Sequence, residues 1–164
     1  DRENKAEYTV FVYREKEQTE GNEKSSLAEL ERLGLTAPEP IWLKPTVDGA
    51  FEDMKNLIKS GAYVPHGAVV ADNDTVAIGA VKAIRESGLR IPEDISVVSF
   101  DDNPYLDFLV PAITRIGQPV EEIGKTAVRL LLESIREEVR CRTQLQLPPE
   151  RIVRDSVANP RTAK

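Results

Sequence analysis

The stretch GAVVADNDTVAIGAVKAIRESGLRIPEDISVVSFDDNP, residues 67–104, decides the fold. Two continuous apolar runs, Gly67–Ala71 and Ile95–Phe100, each break off at a cluster of acids and amides. A short apolar run bounded by turn signals is the pattern of a strand buried on both faces of a parallel sheet. Between them, residues 75–86 carry apolar or small residues on most faces and close on Gly88, as a well-covered helix does. Strand, helix and strand in that order make a crossover unit.

The same alternation extends in both directions. Tyr8–Tyr13 (YTVFVY) is rich in β-branched and aromatic residues and predicts a strand. Ser25 or Ser26 caps a short helix with Leu27, Leu30 and Leu33 on one face, ending at Gly34. Ile41–Leu43 predicts a brief strand, and DGAFEDMKNLIKSG a helix with Phe51, Met54 and Ile58 at i, i+3 and i+7. Ile113–Ile116 (ITRI) predicts another strand. Pro119, Glu121 and Glu122 open the longest helix, whose apolar stripe runs through Val120, Ile123, Ala127, Leu130 and Leu131. RIVRDSV, residues 151–157, alternates like a half-buried edge strand. The expected fold is α/β: a doubly wound, mainly parallel sheet with helices on both faces and right-handed crossovers, in a single domain over residues 1–164.

Composition narrows the function. A net charge of −6, with no basic cluster, lacks the footprint of a nucleic-acid binder, so DNA contact would need another segment. One cysteine, Cys141, allows no internal disulfide and no metal-ligand spacing, and one histidine, His66, removes the usual histidine-based catalytic and zinc sites. Both read as structural or incidental. The apolar runs fall far short of the roughly 20 residues of a membrane span, and no signal peptide is recognisable. The chain starts at Asp1 without Met, as a processed protein or an excised fragment would.

In a parallel sheet the ligand crevice lies beyond the carboxyl ends of the strands, where Asp72-Asn73-Asp74 and Asp101-Asp102-Asn103 both fall. Three uses of these acids are open. As hard oxygen ligands for Mg²⁺ they would serve phosphoryl transfer, although no GxxxxGK[ST] or GxGxxG accompanies them. As structural groups, Asn73 or Asp74 would cap the helix from Thr75, and Asp102-Asn103-Pro104 would form a turn. As a clamp for a neutral polar ligand, Asn73 and Asp101 would project into the crevice, a carboxylate accepting from hydroxyls while an amide both donates and accepts. Binding of that kind needs no base, nucleophile, metal or cofactor.

The residues from Val69 onward closely resemble the effector-binding core of the lactose-repressor (LacI/GalR) family of bacterial transcription regulators. The resemblance rests on the ND-x-x-A-x-G step at Asn73, Asp74, Ala77 and Gly79 and on the G-x-x-x-P-E-D-I-S-V-V run from Gly88 to Val98. It rests also on the strand end Phe100-Asp101-Asp102, the crossover ITRIGQP and the closing Arg154-Asp155-Ser156. It implies one lobe, the C-terminal half, of a periplasmic-binding-protein-like fold, with a sugar, nucleoside or related polar effector held between lobes. It also implies a homodimer, a cytoplasmic protein, no membrane contact, and operator DNA bound only through a helix-turn-helix headpiece absent from these residues. Ligand contacts carry over to Asn73, Asp101 and Gln118. Members usually carry an effector-gripping arginine at a place that falls near Asn22 here; an amide cannot supply that planar fork, though Lys24 stands close by. Trp42 and Pro45 fall near where an aromatic often stacks on the ligand. Dimer contacts map to Ala77 and Val81 and to Tyr105, Phe108 and Leu109. The helix within residues 118–140 belongs to the first lobe in the family, so its apolar stripe should dock on this lobe in an altered position or pair with another chain. A secreted sugar- or solute-binding protein of the same fold and a metal-dependent phosphotransferase are the alternatives.

Overall fold

Short strands, most of them apolar runs, build one sheet. A computed structural model describes residues 8–13 (as backbone), 28–34, 39–65, 67–137 and 144–158. Six strands, β1 (Tyr8–Tyr13), β2 (Ile41–Leu43), β3 (Gly67–Ala71), β4 (Ile95–Phe100), β5 (Thr114–Gly117) and β6 (Glu150–Ile152), form one sheet in the order β2-β1-β3-β4-β5-β6. The first five are parallel, and β6 closes one edge antiparallel to β5. This is a doubly wound order, in which the winding reverses between β1 and β3. The mainly parallel sheet flanked by helices agrees with the sequence expectation, and the β5 strand begins at Thr114, one residue later than the spacing implied.

Helices α1 (Val47–Lys59) and α2 (Asp74–Glu86) pack side by side over the sheet. Phe51 and Met54 of α1 are buried in one core cluster with Val76, Ala80 and Ile84 of α2 and with Val69, Ile95 and Val97 of the strands. Each such large side chain removed from water contributes about 1.5–3 kcal/mol. Gly79 permits the close approach of the two helices: a Cβ there would stand 2.5 Å from the Val47 carbonyl oxygen and 2.7 Å from the Ala50 Cβ. Along β4 the burial alternates, with Ile95, Val97 and Ser99 buried and Ser96, Val98 and Phe100 half-buried, so one face carries the core and the other is less covered.

That packing corrects one expectation. Ala77 and Val81 are 0% and 1% exposed, within the lobe's own core, and have no surface left for a dimer contact. The outer side of α2 is formed instead by residues such as Lys82 and Arg85. Tyr105 and Phe108 behave differently. Tyr105 lies within a 3-10 turn (Pro104–Asp107) and Phe108 directly follows it; they stand 70% and 79% exposed with ring centroids 6.5 Å apart, while Leu109 packs partly onto the core.

The C-terminal segment is sewn under β4 and β5. Ser156, fully buried, accepts from the Thr114 amide at 2.8 Å and donates to the Val97 carbonyl, whose own amide donates to Ser156 O at 2.9 Å. Nearby, Asp107 receives the forked guanidinium of Arg115 at 2.8 and 3.1 Å and Arg154 Nε at 2.7 Å. These two cations hold its carboxyl well below the usual carboxylate range. The last helix, α3 (Val120–Glu137), does not join this packing. Among the described residues its Val128, Leu131, Leu132 and Ile135 side chains are exposed. No described helix is long and apolar enough to cross a membrane.

Two outcomes follow from the packing. Gly79→Ala should lower unfolding stability in urea by about 1–3 kcal/mol, as overpacking of a filled contact does. Asp107→Asn should destabilise the protein at neutral pH, and the difference from the unchanged protein should shrink as pH falls below about 4, where the unfolded carboxyl protonates. Urea titrations between pH 3 and 7 measure both.

Candidate functional site

Because β3, β4 and β5 are parallel neighbours, the residues that follow them share one edge of the sheet. The two acidic clusters therefore meet. Asn103 Nδ2 donates to Asp74 Oδ2 across the gap between the β3 and β4 ends. Asn103 also caps the 3-10 turn by accepting from the Tyr105 amide at 2.9 Å, so Asp102-Asn103-Pro104 forms a turn.

At the start of α2 the cap falls on Asn73 rather than Asp74. Its extended backbone lets Oδ1 accept from the Val76 amide at 2.8 Å, satisfying a donor that has no partner within the helix. The cap engages Oδ1, not the amide nitrogen of Asn73. Asp74, one residue on, accepts from the Thr75 amide at 2.7 Å and from Asn103.

The pair of acids after β4 is divided. Asp101 adopts φ +72°, the left-handed region that a residue with a Cβ seldom enters and that clusters at functional sites. Its half-buried carboxylate accepts from Gln118 Nε2 at 2.8 Å, so the structure brings these two expected ligand residues together. Burial pushes the Asp101 carboxyl up; the Gln118 hydrogen bond opposes that shift and the nearby Asp74 charge adds to it. Asp102 accepts from Arg115 Nε at 2.8 Å. An open depression of about 430 Å³, lined by Asp102, Gln118, Pro119, Glu121 and Lys125 among others, begins at this point.

What such an edge can do is hold a polar molecule. Asp101 offers acceptors, and Gln118 and Asn73 offer amides. Among the described residues no group of three or more His, Cys, Asp or Glu side chains is placed to hold a metal ion. Asp102 is engaged by Arg115, and Asp74 by Asn103, which runs against the Mg²⁺ arrangement. Pro45 follows β2, on the same edge but three strand positions from β4, roughly 14 Å at the usual strand spacing. Asn22, Lys24, His66 and Cys141 lie outside the described residues. Sequence reasoning passed over Arg115; an arginine within the apolar strand ITRI, a few residues after several acids, was the available signal.

Comparison with known proteins agrees with the fold. Residues 2–157 match the family model described as periplasmic binding protein-like domain. The transcriptional repressor PurR of Aliivibrio fischeri is 41% identical over 92 residues, 56% of this chain and 27% of that protein. A complex of the transcriptional regulator CelR with cellobiose superposes with a TM-score of 0.79 at 27% identity, covering 93% of this chain and 47% of the other. A LacI family regulator from Enterococcus faecium with bound ribose gives 0.73 at 25% identity, covering 92% and 56%. The chain thus spans about a quarter of the curated relative and about half of each solved structure. The chain belongs to the periplasmic binding protein-like domain family and, within it, to the lactose-repressor (LacI/GalR) group that its motifs resemble.

Proposed function

We propose that this chain is the C-terminal lobe of the small-molecule-sensing domain of a bacterial, cytoplasmic transcription regulator of the repressor type. The observation that carries the reading is the Asp101–Gln118 pair, 2.8 Å apart beside Asn73 on the carboxyl edge of a sheet in this family. A hydroxyl-rich effector suits it, since an ionised carboxylate takes hydroxyl donors while the amides accept and donate. Relatives of similar fold hold cellobiose and ribose, which favours a sugar. The same relatives are named as regulators, and this favours sensing over solute transport and over catalysis.

In the mechanism, effector seated between this lobe and a first lobe favours one interlobe geometry, and that geometry sets the spacing of helix-turn-helix headpieces on operator DNA. Helix α3 belongs to the first lobe in this scheme, which accounts for the apolar face it exposes here. Tyr105, Phe108 and Leu109 form a homodimer contact; Phe108, at 79% exposure, contributes most to it. Linkage then requires operator DNA and effector to change each other's affinity by the same factor.

A thermal-shift screen of sugars and nucleosides on the two-lobed protein tests the reading. An effector at a hundred times its dissociation constant should add about 2.7 kcal/mol, a rise of roughly 5–10 °C. Asp101→Ala should abolish that rise while operator binding persists; an undiminished rise in the variant would overturn the assignment.

The Asp101 carboxyl also predicts a trade. Because its folded pKa is raised, its favourable contribution is present below the unfolded carboxylate value and is lost as pH climbs through the folded one. Asp101→Asn should therefore raise the urea midpoint at pH 7, and this gain should be smaller at pH 3. Asparagine's ease in the left-handed region adds a pH-independent increment.

A further inference from the structure

Arg115 is the most deeply buried charged side chain among the described residues, 3% exposed on a strand otherwise made of Thr114, Ile116 and Gly117. Its fork serves two carboxylates. Nε donates to Asp102 Oδ1 at 2.8 Å, and Nη1 and Nη2 donate to the two oxygens of Asp107 at 2.8 and 3.1 Å. A planar guanidinium serves both in one fixed fork; an ammonium, a point charge on a flexible stem, does not reproduce that bidentate geometry. Asp102 is itself exposed, so burial does not hold its side chain in place.

The strand surface does the rest. Gly117 lies two residues along β5 from Arg115, hence on the same face. A Cβ at Gly117 would come within 3.1 Å of the Asp102 Cβ and 3.0 Å of Ile152 Cδ1. The Asp102 side chain therefore lies close over bare backbone on its way to Arg115. The turn after β4 is thus gripped at two successive residues, Asp102 by Arg115 of β5 and Asp101 by Gln118, the residue that follows β5. These grips hold the left-handed backbone of Asp101, a conformation that aspartate enters more often than most residues but still at a cost.

We propose that Arg115 is a positioning residue for ligand binding: by fixing Asp102 over Gly117 it holds the left-handed turn that presents the Asp101 carboxylate beside Gln118, without touching the ligand itself. The proposal takes its functional meaning from the reading of Asp101 as a ligand contact. Its geometry is independent of that reading.

Two variants of the ¹³C,¹⁵N-labelled chain test it by nuclear magnetic resonance. Asp102→Ala removes an exposed side chain, and Arg115→Lys keeps the charge while losing the fork. In the unchanged protein residue 101 should show the strong intraresidue Hα–HN Overhauser effect of positive φ, and the Gln118 side-chain amide should follow titration of the Asp101 carboxyl. Both signals should be lost in both variants, with the amide shifts of α1 and α2 unchanged. Persistence of both signals in folded Asp102→Ala would overturn the proposal and leave Arg115 as a stabilising ion pair alone. A parallel thermal-shift comparison of the two-lobed protein and its Asp101→Ala variant, with cellobiose and ribose as probes, separates the two claims. If the turn signals are lost as expected while Asp101→Ala retains a ligand shift, the brace stands and the ligand assignment fails.

Discussion

Parallel hydrogen bonding of β3 with β4 and of β4 with β5 is the constraint on which the rest depends. It delivers three strand ends to one edge, and with them carboxylates that include Asp74, Asp101 and Asp102. Like charges so placed repel, and a structure that gathers them must supply each with a partner. Here the partners differ in kind: an amide for Asp74, an amide for Asp101 and a guanidinium for Asp102. Asp101, half-buried and facing an uncharged donor, has its carboxyl shifted upward by burial. The edge is therefore chemically uneven, with one carboxylate left in an environment that a ligand's hydroxyl groups would improve.

Much of this was legible in the sequence, because the signals were local. Gly61 and Gly88 marked helix ends, and both occur at positive φ. The apolar runs gave the strands, and the acids that stopped them gave the edge. The cap at α2 was harder: Asn73 and Asp74 are both good capping residues, and only the backbone at 73 decides between them. Ala77 and Val81 show a different limit. A helix with small or apolar residues all round has several faces that could serve an interface, and spacing does not say that α1 covers this one. Gly79 shows why it does, since the contact depends on a missing Cβ facing backbone far away in sequence. Arg115 was missed for the same reason: its partners Asp102 and Asp107 come together with it only when the 3-10 turn folds back beside β5.

Helix α3 illustrates a signal that was read correctly yet left incomplete. Its stripe from Val120 to Leu131 marks an amphipathic helix, and α3 occurs as a regular helix of 18 residues. Amphipathicity states that a covering surface exists, not where it lies. Among the described residues Thr126 alone on this helix is buried. The proposal that α3 belongs to another lobe makes it the element through which relative motion of lobes would be felt at Gln118, two residues before its start. Gln118 would then stand at a joint as well as at a ligand contact.

The left-handed backbone of Asp101 has an evolutionary consequence. Only glycine, asparagine and aspartate occupy that region readily, so the position is confined to a three-letter alphabet whatever molecule is to be recognised. Those three letters are an acceptor pair, a donor–acceptor pair and an empty space. A lineage changing its effector could thus invert hydrogen-bond polarity at this point, or open room for a bulkier substituent, by a single substitution that leaves the loop's path unaltered.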